Sequence, residues 1–587
     1  MNYNLNALSE QQQKTSAYAA LKGLLRLIAH EKRNMVLAFI AIVLNSGLNL
    51  LGPFLIGYAI DHYIAQKQYH GLLVFSGILL VIYLLALFTS YFQTQLMGSI
   101  GQRLLFTLRN AIFNKLQVLP VAFFQANKAG DLISRVNNDT DKLNTFFSQS
   151  LVQFIGSIVI MTGAGIFLLV INVQLGAATL IPALLILIFT KLVSPWIKKK
   201  NAVNMSAVGG MSAQVQESLN NFKVIVAFNR RDYFRKRFDE ANRHNYTTAI
   251  GAGLASNTLL PVYSLLSGLA QLIVLLYGIY LIAAGSFSIG LLVSYLAYAT
   301  QFYNPLRQLA TLWASFQVAM AGWDRIAQIL SLDTNLAVVE DIPAETGSAA
   351  VVEFRNVHFG YAEGKEILHN ISLQLQKGKT YAFVGPTGGG KTTTASLIAR
   401  LYDPVSGTVL LNGKDLRAYQ PEALSKKVGF ILQEPFLFTG TVRENILYGN
   451  EQYHHYNNEQ LEHVIKEAGL QSLLTIFENG LLTTVSSGGD SISLGQKQLI
   501  AFMRAVLRNP DILILDEATA NIDTVTEQML EEILNKLPPH TTRIIIAHRL
   551  NTIRNADEIF FVNAGEVTRA GSFNEAIDKL LNDKRVS

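Results

Sequence analysis

The 587-residue chain has no cysteine, which excludes disulfides, thiolate nucleophiles and cysteine-bound metals. Charge is also scarce: Asp, Glu, Lys and Arg make up 15% of residues against 50% hydrophobic ones, an unusual balance for a soluble enzyme. The shortage is concentrated. None of the four charged types occurs from Asn34 to Ile60, from His70 to Gly101, from Leu143 to Thr190, or from His244 to Leu306. A bilayer core takes about 20 apolar residues per helix. The first two stretches therefore hold one span each and the last two hold two each, with breaks near Asn172 to Gln174 and at Gly285-Ser286. Six spans are expected. Residues 1–15 are polar, with a Gln11-Gln12-Gln13 run, and do not read as a secretory signal.

What charge there is lies on one side. Arg103, Arg109, Lys115, Lys128, Arg135 and Lys142 fall between spans two and three. Lys198-Lys199-Lys200, Lys223, Arg230, Arg231, Arg235, Lys236, Arg237 and Arg243 fall between spans four and five, and the opposite loops carry little that is basic beyond Lys67. The positive-inside rule places both long loops and both termini in the cytoplasm. This asymmetry accounts for much of the net charge of +6 and argues against nucleic acid as a partner, because the basic residues flank spans and do not form one soluble face. Tyr18, Leu21, Leu24, Leu25 and Ile28 recur at helical spacing before span one, as an amphipathic helix on the membrane surface or an extension of the span. Ser331 to Ala349 reads as a linker. Beyond it, short apolar runs alternate with amphipathic helices, as in an α/β domain. The fold class expected is a multidomain membrane protein: an all-α six-helix transmembrane domain (1–330), a linker (331–349) and an α/β P-loop nucleotide-binding domain (350–587).

Gly385-Pro386-Thr387-Gly388-Gly389-Gly390-Lys391-Thr392 spells G-x-x-x-x-G-K-[S/T] between an apolar run, Tyr381 to Val384, and a helix beginning at Thr393. Glycines let the backbone wrap an anion so that successive N–H groups and the helix N-terminus face phosphate. Lys391 is positioned for the β- and γ-phosphates, and the Thr392 hydroxyl for Mg²⁺. Ile512 to Leu515 reads as a buried strand ending in Asp516-Glu517. Asp516 suits the metal shell, and Glu517 suits a general base or water-positioning group for attack on the γ-phosphate.

With these motifs in order, the chain resembles the ATP-binding cassette family, and the membrane half resembles its exporter branch. The resemblance covers nearly the whole chain. It implies that Tyr361 stacks on adenine, that Gln433 lies between the metal site and the transmembrane contacts, and that Ile492 to Gln496 is the signature sequence. It also implies that Asp523 belongs to the loop crossing the dimer interface and that His548 is the switch histidine. ATP contacts would come from Tyr361, Gly385 through Thr393, Ser493, Gly495, Gln496 and Asp523. Mg²⁺ would be held at Thr392, Gln433 and Asp516, and catalysis would rest on Glu517, His548 and Gln433. Pro120 to Lys128 and Met211 to Phe222 would be the coupling helices.

Two departures bear on the partner. Leu494 replaces the first glycine of the family's Leu-Ser-Gly-Gly-Gln and Ile492 its leucine, and Ser486-Ser487 stand where exporters usually carry Gly-Glu. With Glu517 and His548 intact, the chain resembles the catalytic half of a heterodimeric bacterial exporter in the inner (plasma) membrane. A homodimer is the alternative. The substrate expected is an amphipathic or hydrophobic drug, lipid or peptide; an ATP-gated channel or regulator on the same scaffold is the rival. Tyr83, Phe88, Tyr91, Phe92, Tyr263, Gln271, Tyr277, Tyr295, Tyr298, Gln301, Phe302 and Tyr303 either line a cavity or pack between helices. Apart from Arg307 the spans lack charge, which argues against a small-ion pathway.

Overall fold

The structure is a computed structural model describing residues 3–5, 31–333, 338–339, 350–361, 365–486, 492–516, 524–546, 554–571 and 575. The helix expected over Tyr18 to Ile28 and most of the linker lie outside the described residues. The chain divides into two compact units: residues 14–115 with 132–331, and residues 1–13 with 116–131 and 332–587.

The first unit is helical. Its long elements are α1 (Lys32–Ala59), α2 (Tyr69–Gln117), then, after the short α3 (Val121–Ala126) of the other unit, α4 (Leu151–Ile171), α5 (Val173–Asn220), the short α6 (Phe222–Ala227), α7 (Arg231–Asn257), α8 (Leu259–Ala283) and α9 (Ile289–Leu330). Five described helical stretches are long and apolar enough to cross a membrane: Lys32–Ile64, Tyr69–Gln117, Ala129–Ile171, Val173–Asn220 and Arg231–Ala283. The sixth expected span is α9. It is long and uncharged as far as Leu306, but Tyr295, Tyr298, Gln301, Tyr303 and Asn304 lower its apolarity.

The breaks fall where the sequence places them. Asn172 caps α5, its side chain accepting from Leu175 N, and Ser288 caps α9 by accepting from Leu291 N. The coupling helix implied over Met211 to Phe222 is displaced: Met211 to Asn220 is the continuous end of α5, Asn221 leaves helical geometry at φ −106°, ψ 19°, and the short helix that follows is α6.

Between the helices, side chains of α9 donate to backbone carbonyls near prolines. Pro53 lies inside α1, so Asn49 O loses its helical N–H partner. Gln301 Nε2 donates to Asn49 O (3.3 Å), Tyr298 Oη to Leu50 O (2.7 Å) and Ser294 Oγ to Pro53 O (2.8 Å). Tyr303 Oη donates to Thr179 O (2.6 Å), close to Pro182 of α5. Toward the other end, Asp139 is fully buried and paired with Lys142 Nζ (2.8 Å) and Arg325 Nε (3.3 Å), while buried Arg135 donates to Arg325 O (2.6 Å) and Gln328 Oε1 (3.0 Å).

The second unit is built on β1 (Ala350–Phe359), β2 (Leu368–Gln376), β3 (Thr380–Val384), α10 (Lys391–Ile398), β4 (Ser406–Leu411), β5 (Val428–Ile431), α11 (Leu494–Val506), β6 (Ile512–Asp516), α12 (Thr524–Lys536), β7 (Thr542–Ile546), β8 (Glu558–Asn563) and β9 (Glu566–Gly571). Strands β2, β1 and β4 form an antiparallel sheet with a short edge strand, Lys414–Asp415. The main sheet is six-stranded in the order β9-β8-β3-β7-β6-β5, and all its pairings are parallel except β8 with β9. Crossovers cover both faces of such a sheet, which is why its central strands read as unbroken apolar runs. Tyr381, Phe383, Ile512 and Ile514 join the core that holds Ala395 and Leu397 of α10, whereas Ala382, Val384, Leu513 and Leu515 join the core of Leu499, Phe502 and Met503 of α11.

Helix α3 belongs to this second unit. Ala122 packs on the core beneath α10, Phe123 is fully buried, and Tyr402 Oη donates to Gln125 Oε1 (2.6 Å). Burial, with a smaller contribution from Tyr361, pushes the Tyr402 hydroxyl up to about 12. The protonated donor is therefore retained at physiological pH, and its stabilisation is lost only as pH climbs from about 10 through the folded value. Tyr402→Phe removes a net contribution of about 1 kcal/mol and should speed amide exchange across Val121–Ala126 severalfold. Unchanged exchange there would show that the bond does not hold α3.

Candidate nucleotide site

The phosphate loop starts where fully buried β3 ends. Gly385 turns the chain at φ 145°, and a Cβ there would lie 2.0 Å from Val562 O; Gly390, at φ 113°, would drive a Cβ to 2.6 Å from Leu368 Cδ2. Both positions admit only glycine without rearrangement. The loop is braced by Gly389 N donating to Pro386 O (3.2 Å) and Gly565 N to Gly389 O (3.1 Å). Lys391 opens α10, and its buried ammonium donates to Gly385 O and Pro386 O at 3.0 Å each. The loop thus curls over its own lysine at a helix N-terminus, an arrangement that receives phosphate.

The next residue makes the decisive link. Thr392 Oγ1 donates to Asp516 Oδ1 at 3.1 Å, joining the phosphate loop to the end of β6. Parallel register explains the meeting: Ile546 pairs with both Phe383 and Asp516, so β3, β7 and β6 end together. Asp516 is only 3% exposed. A hydroxyl and a buried carboxylate beside a phosphate loop are hard oxygen donors that fit Mg²⁺ carried by a nucleotide. Ile431 of β5 pairs with Leu515, which places Gln433, two residues on, at the same edge of the sheet.

The residue expected against the base, Tyr361, is held by neighbouring side chains. Tyr361, 48% exposed, shares a hydrogen bond with Thr393 Oγ1 (3.0 Å) and meets Phe359 and Tyr402 edge to face, with ring centroids at 5.0 and 5.1 Å. The sequence reading missed Tyr402; an aromatic just beyond the phosphate-loop helix was its only local sign. It also missed Val562 and Gly565, which wall the loop from β8 and the turn after it and have no motif of their own.

Ser493 and Gln496 cap each other through their oxygens. Ser493 Oγ accepts from Gln496 N (3.2 Å) and Gln496 Oε1 accepts from Ser493 N (2.9 Å), a capping box that starts α11. Leu494 is its first helical residue and is 40% exposed, with Gly495 next to it. Glu517, Asp523 and His548 lie outside the described residues.

In the membrane unit the aromatic candidates divide. Tyr295, Tyr298 and Tyr303 are buried and donate to backbone carbonyls, and Tyr263 is buried and shares a hydrogen bond with Thr190 Oγ1 (3.0 Å), so these four pack helices. Tyr83, Phe88, Tyr91 and Phe92 of α2 remain exposed.

Comparison with known proteins agrees with this geometry. Residues 35–306 match the family model of the ABC transporter transmembrane region, and residues 368–520 match that of the ABC transporter. The uncharacterized ABC transporter ATP-binding protein YfiC of Bacillus subtilis is 36% identical over 565 residues, covering 95% of this chain and 92% of that one. A fatty acid ABC transporter ATP-binding/permease protein of Mycobacterium bovis is 32% identical, over 85% of this chain and 78% of its own. A multidrug resistance ABC transporter ATP-binding and permease protein of Lactococcus lactis is 30% identical, over 82% and 81%. The chain therefore belongs to the ABC transporter family, as a half-transporter that joins a membrane-spanning region to an ATP-hydrolysing domain in one polypeptide.

Proposed function

We infer that the protein exports a hydrophobic or amphipathic compound from the cytoplasm by ATP-driven alternating access, as one half of a dimer. The observation that carries this reading is the Thr392 to Asp516 hydrogen bond, which builds a Mg²⁺-ready phosphate site in a chain whose spans are almost free of charge. Relatives named for fatty acid transport and multidrug resistance support the substrate class. On this reading a transmembrane domain covers 1–330, a linker 331–349 and a cassette 350–587, with both termini on the cytoplasmic face of a bacterial inner membrane.

In the assembled site, Lys391 and the loop amides bind the β- and γ-phosphates, and Tyr361 stacks on the base. Thr392, Asp516 and Gln433 would hold Mg²⁺, which would supply charge neutralisation along the phosphates. Glu517 takes a proton from the attacking water or orients it, and His548 engages the γ-phosphate side. Ser493, Gly495 and Gln496 serve the nucleotide bound mainly by the other subunit, and Asp523 lies toward the dimer interface. Nucleotide shared between subunits then favours one of two membrane states by differential binding.

Leu494 supports a heterodimer. A leucine at the first turn of α11 puts a bulky side chain where backbone would approach a phosphate, so the site that this signature covers is the slower of two. Expressed alone, the chain should hydrolyse ATP slowly and gain rate when co-expressed with a subunit bearing an intact signature; full activity of a homodimer would exclude that pairing. Glu517→Gln should bind ATP with near wild-type affinity yet lose about 10²- to 10⁴-fold in turnover, and wild-type turnover in the purified complex would remove that residue from its role. Lys391→Ala should weaken ATP binding by about tenfold or more through loss of a charge-assisted hydrogen bond, as read by nucleotide titration.

A further inference from the structure

Three titratable side chains that no motif covers meet where β1 ends and β2 begins. Phe359 pairs with Leu368, and His358 and His369 flank that pair on the two strands. Glu366 stands between the imidazoles and gives one carboxylate oxygen to each: Oε1 to His358 Nδ1, and Oε2 to His369 Nδ1 at 3.0 Å. The two hydrogen bonds, reinforced by the charge of the rings, hold the Glu366 carboxyl below the ordinary carboxylate range, and no other charged group among the described residues acts on it. Of the elements alongside, β4 sets Ser406 opposite His358, and the turn between β8 and β9 sets Gly565 against the His369 ring; neither residue titrates.

The same hairpin reaches the nucleotide site from two directions. On one, Ile367 N donates to Phe359 O (2.7 Å), and Tyr361 follows Phe359 with its ring centroid 5.0 Å away. On the other, His369 N donates to Gly565 O (2.9 Å), Gly565 N donates to Gly389 O of the phosphate loop (3.1 Å), and Leu368 Cδ2 walls Gly390. A carboxylate that ties His358 to His369 therefore ties the base side of the site to the phosphate side.

Imidazole is the side chain that ordinarily changes charge between pH 5 and 8. Glu366, held low, stays ionised across that range, and its contribution fades only in stronger acid, as pH falls through the lowered value. A neutral ring can lend the carboxylate an N–H, and a protonated ring makes the same bond charge-assisted.

We propose that Glu366 is a positioning residue for ATP. By bridging His358 and His369 it holds the β1–β2 hairpin in the arrangement that receives base and phosphates, more firmly when the imidazoles are protonated. Apparent affinity scales with the fraction of molecules already in the binding arrangement, so it rises as pH falls through the neutral range. This regulation rests on the nucleotide site described above, and Glu366 acts on it only through Phe359, Tyr361, Leu368 and Gly565.

The test measures dissociation constants of mant-ATP, a fluorescent ribose-labelled ATP, at pH 8 and pH 6 on the assembled transporter in lipid nanodiscs. Mg²⁺ is omitted to prevent hydrolysis. Wild type and Glu366→Gln are compared at each pH, which cancels the titration of the phosphates; glutamine keeps the shape and can pair with neutral rings, but carries no charge. The advantage of wild type over the variant should grow about two- to fivefold from pH 8 to pH 6, the size expected of exposed ion pairs. The advantage over His358→Gln/His369→Gln, which keeps the carboxylate and removes both rings, should grow likewise. During turnover the growth should appear in KM for MgATP and not in kcat, whereas a general weakening of the fold would move both without regard to pH. A ratio that stays constant or shrinks as pH falls, for either variant, or a change confined to kcat would overturn the assignment. Failure of the wild type to bind mant-ATP at either pH would instead defeat the nucleotide site itself.

Discussion

Thr392 and Asp516 are 124 residues apart in the chain and 3.1 Å apart in space, and the order of the cassette depends on what brings them together. Parallel strands β3, β7 and β6 must end in register, with the glycine loop closing over β3 and the carboxylate closing β6. Any slip of one residue would turn Asp516 to the other face of the sheet. The apolar side chains on the two faces, Phe383 and Ile514 on one and Val384 and Leu515 on the other, fix that register by burial. Packing of the sheet therefore sets the positions of the Thr392 and Asp516 oxygens.

The membrane unit follows a comparable logic with different groups. Pro53 leaves one backbone carbonyl, Asn49 O, without its helical donor, and in an apolar setting it needs another. Helix α9 supplies that donor through Gln301, and its Ser294 and Tyr298 donate to further carbonyls of α1 and its Tyr303 to one of α5. These bonds tie three helices at defined heights without any ionic group. The reduced apolarity of α9 is thus a consequence of its work as a hydrogen-bonding spine.

Much of this was legible in the residues. Four charge-free stretches predict six spans; five of the described helical stretches are long and apolar enough to cross a membrane, and α9 falls short of that apolarity. The motif from Gly385 to Thr392 and the run ending at Asp516 carried the nucleotide site, because glycine geometry and a buried strand terminus leave few other uses for those residue types. What stayed hidden depends on contacts between distant segments. Arg135 counted as one more cytoplasmic cation, yet it is buried against Arg325 O and Gln328. Tyr295 and Tyr83 have the same chemistry in similar surroundings, and only helix packing decides that the first is enclosed and the second exposed. The resemblance implies a coupling helix over Met211 to Phe222, but α5 runs on to Asn220 and the short helix α6 follows it.

The central claim is that phosphate chemistry at the end of β6 drives movement of an apolar solute through the spans. It is tested most directly by the MgATP-dependent accumulation of a lipophilic fluorescent dye in inside-out membrane vesicles containing the assembled transporter, either wild type or Asp516→Asn. Wild-type vesicles should accumulate the dye only with MgATP, and the variant should not accumulate it. Equal accumulation by both, or accumulation without nucleotide, would contradict the account.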